Sequence, residues 1–122
     1  SGESHEAKAE KRMRVRRIDL GIMENLANGF RYSEGLPIFK DRITTIPDAA
    51  DAIKAIAQEK ISWLDGQLTG KDFVCGDRFT LADVVLYCFL EFGGQVGQPL
   101  NEENKNIMAW YERVGARDSA AA

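Results

Sequence analysis

Arg16, Asp19, Met23, Ala27 and Phe30 recur at helical spacing and mix two ionic side chains with three apolar ones. A helix face of that kind can hold an apolar ligand beside a polar group that orients it, and methionine suits an adaptable apolar wall. The same spacing also serves core or interface packing for Met23, Ala27 and Phe30. Upstream, Lys8, Lys11, Arg12, Arg14, Arg16 and Arg17 crowd cations into ten residues, with Glu10 as the local acid. Such a run can bind nucleic acid. These cations, however, spread around the helix and have no interleaved aromatic for base stacking, so a solvated surface or a contact with another domain or subunit is expected instead. His5 is the single histidine. Without a second histidine or a cysteine cluster, neither a metal site nor a Ser-His-Asp triad is expected. Cys75 sits in a short Gly-bounded loop, and only Arg78 stands near enough in sequence to activate it. It reads as an incidental thiol. Glu91 reads as exposed, with Arg113 as the alternative partner.

Thr80 and Asp83 have the spacing of a capping box, in which the hydroxyl and the carboxylate each satisfy a backbone N–H at the start of a helix. Phe79 and Val84 flank them as a hydrophobic staple. The segment from Val84 to Leu90 is apolar on every side, so the helix is predicted to be buried, and its first turn needs side-chain partners. Asp83→Ala is expected to cost about 1–2 kcal/mol, as capping losses do.

Four substantial helices are predicted to position these groups. The first runs from Glu6 to Tyr32, with Val15, Ile18, Ile22, Leu26 and Phe30 on one face. Gly21 and Gly29 interrupt it and point to a close helix approach or a bend. Glu34-Gly35-Leu36-Pro37 stops it. Residues 36–47 read as loop. The second helix starts near Pro47-Asp48, buries Ile53, Ile56, Ala57, Ile61, Leu64 and Leu68, and ends at Gly70. The third runs from 80 to about 92 and stops at Gly93-Gly94. The fourth begins near Asn101, carries Ile107, Trp110, Tyr111 and Val114, and ends at Gly115. The fold class is all-α, a helical bundle.

Composition agrees. The chain has 122 residues, 44% of them hydrophobic and 29% charged, as in an ordinary soluble domain with one core. A net charge of −3 gives no general reason to bind nucleic acid. No apolar run is long enough to span a membrane. Two cysteines, with Cys88 in the most apolar helix, make no disulfide framework and point to a reducing, cytoplasmic setting. Residues 1–5 read as a tag remnant (Ser1-Gly2) and a flexible start, and 6–122 as the domain.

The segment Phe73-Val74-Cys75-Gly76-Asp77-Arg78-Phe79-Thr80-Leu81-Ala82-Asp83 resembles the F-x-x-G-D-x-F-T-L-A-D signature of the C-terminal helical domain of glutathione transferases. Ile107, Trp110, Tyr111 and Arg113, then Ala116-Arg117-Asp118-Ser119, resemble that domain's closing helix and the turn after it. Residues 16–20 and 23–28 resemble the long first helix of bacterial members. Two departures concern local turns. Asp118 stands where the family often has proline, and Asn104-Lys105-Asn106 lacks the proline common before the last helix.

The resemblance implies a substrate-binding domain without its N-terminal thioredoxin-like partner, which would bind glutathione and supply the residue that activates its thiol. No catalytic residue and no cofactor are then expected in this chain; glutathione is the co-substrate of the parent protein. Arg16, Asp19, Met23, Ala27 and Phe30 become candidates for the pocket that holds a small hydrophobic electrophile, with Arg16 and Asp19 nearest to positions that can reach glutathione bound to a neighbouring subunit. The other reading is a non-catalytic assembly module of the same fold. With its partner domain absent, the first helix is expected to pair two copies of the chain through Ile18, Ile22, Met23 and Leu26.

Overall fold

A computed structural model describes residues 2–117 of the chain. Ser1 of the expected tag remnant and Asp118-Ser119 of the expected closing turn lie outside the described residues. The architecture is all-α, with no strand among the described residues.

The first helix is continuous but not uniform. It comprises α1 (His5–Arg17), a π-helical turn (Ile18–Met23) and α2 (Glu24–Arg31). It begins one residue earlier than its periodicity predicts, because the Ser4 hydroxyl accepts from the Ala7 N–H at 3.1 Å. Glu3, just before the N-cap, pairs with Lys11 further along the helix, and that contact holds the Glu3 carboxyl below its ordinary range. Ser4 is thus the N-cap and His5 the first helical residue.

The predicted loop over 36–47 is corrected in part. Leu36–Phe39 forms a short helix, α3, with proline in its first turn, and Pro47–Ala49 forms a 3-10 turn leading into α4 (Ala50–Gln67). Gly93 does not stop α5 (Leu81–Gln95). It lies inside the helix, where an added Cβ would sit 3.1 Å from the Gln98 carbonyl oxygen and 3.2 Å from Leu26 Cδ2. Its missing side chain admits a neighbour instead of ending the helix. The turn comes later, at Gly97, with φ of 86°.

α6 (Lys105–Gly115) starts four residues after Asn101, whose side chain is spent on a local turn to the Glu103 N–H at 2.9 Å. The first turn of α6 is capped from another helix: Asp65 of α4 accepts from the Ile107 N–H at 2.9 Å.

Ile18, Ile22 and Leu26 from the long helix meet Ala57, Ile61 and Leu64 of α4, Leu86 and Leu90 of α5, and Ile107, Trp110 and Val114 of α6 in one core. Ile56 was expected in that core and instead faces solvent at 40% exposure. The expected pairing face is also overturned. Ile18, Ile22 and Leu26 are at most 3% exposed, consumed by the chain's own core, and cannot join two copies. Gly21 and Gly29 do mark a close helix approach, since an added Cβ would meet Lys60 Cγ at 3.1 Å and Lys54 Cγ at 2.8 Å, both on α4.

Thr80 and Asp83 close the capping box of α5. Asp83 is fully buried, and its carboxylate does more than cap. Oδ2 accepts from the Thr80 N–H at 2.9 Å. Oδ1 accepts from the Val74 N–H and from Trp110 Nε1, each at 2.9 Å. Phe79 packs edge-on against Phe73, with ring centroids 5.6 Å apart. Glu91 is exposed, and Arg113 donates to the Asp72 carbonyl at 2.7 Å.

Asp83→Ala strands three donors rather than the one or two of a simple cap. It should cost about 3–5 kcal/mol in a urea melt, each orphaned buried donor contributing about 1–3 kcal/mol. A loss near 1 kcal/mol would show that these donors find other acceptors. Gly29→Ala should cost about 1–2 kcal/mol against the forced shift of Lys54, although alanine is the better helix former. Gly21→Ala, with more room, should be close to neutral, and identical melts for the two variants would refute the difference in approach.

Candidate functional site

The π turn is where the long helix presents its chemistry. Val15, Ile18, Asp19 and Met23 from α1 and the π turn face Leu81 and Val85 from the first turns of α5 across a groove of about 220 Å³. Its walls are mostly apolar, and Asp19 is the ionic group at its edge. A second hollow of about 260 Å³ shares Val15 and Asp19 with the groove and adds Lys11, Arg16 and Cys75. The two form one trough with an apolar half and a basic half.

Arg16, Asp19 and Met23 thus lie along this trough as their spacing predicts. Ala27 and Phe30 do not line it. Phe30 turns to an aromatic cluster, with its ring centroid 5.0 Å from Phe92 and 6.3 Å from Phe39, both edge-on. The π turn explains the split. It takes one more residue per hydrogen-bonded turn than an α-helix, so side chains beyond it are rotated by about one residue, roughly 100°. Glu24 N–H donates to the Asp19 carbonyl, five residues back, and closes that wider turn.

Leu81 and Val85, on the wall that α5 supplies, are among the lining residues that sequence reasoning did not assign to the site. Leu81 is 74% exposed and Val85 36%, so the apolar helix is not buried all round. The signal was present in the excess of apolar residues from 84 to 90, more than one buried face requires. Those residues cover the core on one side and edge an open groove on the other.

The basic run also differs from expectation. Arg14 is not solvated: it is 8% exposed, and its Nη1 donates to the Val74 carbonyl at 2.8 Å. Arg17 lies over the Trp63 ring, 4.0 Å from its centroid. Cys75 is half-buried, with the Thr80 hydroxyl 3.7 Å from its sulfur. Among the described residues no group of three His, Cys, Asp or Glu side chains is placed to hold a metal. No helix among them is long and apolar enough to cross a membrane. The trough offers shape, apolar surface and charge, and no side chain in it is paired with a base that would make it a nucleophile.

Residues 35–118 match the family described as glutathione S-transferase, C-terminal domain. The fold is similar to a crystal structure of a glutathione S-transferase domain-containing protein from Marinobacter aquaeolei VT8, with a TM-score of 0.83 and 30% sequence identity. That similarity covers 98% of this chain and 58% of the other, so the chain spans little more than half the length of that relative. Comparison with curated proteins finds no match.

The groove wall can be altered without unfolding the domain. Leu81→Asp, at an exposed site, should change stability by no more than about 0.5 kcal/mol. Met23→Glu, which forces a charge against the core, should cost about 1–3 kcal/mol. Thermal melts of both variants check this, and a large loss for Leu81→Asp would mean that the groove is closed in solution.

Proposed function

The chain belongs to the glutathione S-transferase C-terminal domain family, and from that premise we propose that it is the electrophile-binding half of a glutathione-conjugating protein. The observation that carries the reading is the trough itself: Ile18, Met23, Leu81 and Val85 form an apolar wall, and Arg16 and Lys11 stand at its basic end. A hydrophobic electrophile suits the first. The carboxylates of a glutathione tripeptide suit the second. In this reading a thioredoxin-like domain, joined to this one in the parent protein, binds glutathione and lowers the pKa of its thiol. The thiolate forms the new sulfur–carbon bond, and the electrophile's leaving group departs with the displaced electron pair.

This chain contributes binding and orientation. Holding the electrophile at a fixed distance from the thiolate removes the entropic cost of their encounter. Leu81, at 74% exposure, is apolar surface that a partner domain or a second copy would cover. Asp19, at the junction of the two hollows, orients the polar end of the ligand. Ala27 and Phe30 are outside this proposed site, because the π turn rotates them away.

The test compares two proteins with glutathione and a chloronitrobenzene electrophile. The 122-residue chain alone should give no rate above buffer. The same chain carried behind a thioredoxin-like domain should conjugate, and Leu81→Asp in that longer protein should raise KM for the electrophile about tenfold, the scale of one apolar contact, with KM for glutathione unchanged. Turnover by the isolated chain would overturn the division of labour. A longer protein that binds glutathione but conjugates nothing would favour the assembly-module reading.

A further inference from the structure

A second cleft lies on the other side of α1 from the trough and shares no residue with it. It is about 320 Å³ in volume and sits between α1 and the C-terminal end of α4, with Arg14 and Arg17 on one wall, Trp63 and Gln67 on the other, and Lys71 at its edge. Glu10 is the one acid in its lining. Three cations against one carboxylate give the cleft a local excess of positive charge in a chain whose net charge is −3.

Arg14 contributes to this excess from a buried position. The residue is more than nine-tenths buried, its Nε included. Nη1 is satisfied by the Val74 carbonyl, but Nε has no partner. A neutral carbonyl accepts one hydrogen bond and brings no counter-charge. Burying a cation on those terms is costly, and the usual remedy is a carboxylate or phosphate held by the guanidinium fork. Among the described residues no carboxylate lies within ion-pair distance of Arg14, Arg17 or Lys71, since the ion pairs found there join Lys11 to Glu3 and Lys54 to Glu34. The Arg17 guanidinium carbon lies 4.0 Å from the Trp63 ring centroid, a cation–π contact that restrains the side chain before any ligand arrives. Gln67 adds a neutral amide donor.

We propose that this cleft is a binding site for a compact oxyanion, the phosphate or carboxylate group of a small molecule, held by Arg14, Arg17 and Lys71. The ligand completes the buried charge of Arg14 and lies between the guanidinium of Arg17 and the ammonium of Lys71. A cleft of about 320 Å³ admits a phosphate or a short dicarboxylate together with bound water. Glu10 opposes the ligand and sets a ceiling on its affinity. The site is independent of the electrophile trough and does not rest on the conjugation reading.

The 122-residue chain is titrated with inorganic phosphate and, separately, with succinate, against sodium chloride at matched ionic strength. The Trp63 indole N–H resonance should shift saturably, and that of Trp110, buried in the core, should not. Saturation should be accompanied by a rise in melting temperature. Arg17→Ala and Lys71→Ala should each weaken binding about tenfold, the scale of one charge-assisted hydrogen bond, and Glu10→Gln should tighten it. Arg14→Met also removes the Val74 contact, so Arg17→Ala and Lys71→Ala carry the decision if that variant does not fold. A response to phosphate alone or to succinate alone supports the site and identifies its oxyanion. A shift that never saturates, or one that both Arg17→Ala and Lys71→Ala leave unchanged, overturns it.

Discussion

The fold turns on one carboxylate. Asp83 is fully buried and takes donors from three places: the start of its own helix, the Val74 backbone, and the indole of Trp110 on α6. An ionic group in a core is tolerable when each lone pair it offers is used. Here the geometry of α5, the 72–76 segment and α6 is set by that requirement. Trp110, the largest fully buried side chain, is oriented by the same oxygen that holds Val74. Arg14 then grips the Val74 peptide from its carbonyl side, so α1 joins the network through a second charge. Hydrophobic area drives the bundle together, and these polar contacts select an arrangement of helices in which one carboxylate serves α5, the 72–76 segment and α6.

The bundle, the capping box and the long first helix were legible in the sequence because each has a local signature: 3.6-residue periodicity, a Thr–Asp pair three apart, glycines where helices approach. The second role of Asp83 was not legible. Nothing in the spacing of Val74, Asp83 and Trp110 says that they meet, since that contact exists only after three elements pack. The same holds for Asp65, which caps α6 from α4. Gly93 misled for a related reason. Its lack of a side chain serves Leu26 and the Gln98 backbone, and a packing glycine looks in sequence like a stop.

The candidate groove was half legible. Arg16, Asp19 and Met23 were found by helical spacing, and that reasoning fails beyond Met23 because it assumes α geometry throughout. One wide turn between Ile18 and Met23 sends Phe30 to Phe92 and Phe39 instead of to the groove. No residue type announces a π turn; Ile18 and Ile22 inside it and Leu26 beyond it all reach the same core. The opposite wall, Leu81 and Val85, was hidden by the assumption that an apolar helix is wholly interior.

The Val74 peptide, held at its N–H by Asp83 and at its carbonyl by Arg14, has a consequence for how this domain breathes. Segment 72–76 has almost no regular structure beyond the bridge between Phe73 and Gly76, and such segments ordinarily open locally, at a small fraction of the global free energy. This one cannot open without breaking contacts to α1 and α5 and freeing the acceptor of Trp110. Its hydrogen-bonded amides, those of Phe73, Val74 and Gly76, should therefore exchange with solvent at the rate of the core helices rather than at the rate of a loop. A stretch that looks like a connector belongs to the last cooperative unit of the protein to come apart.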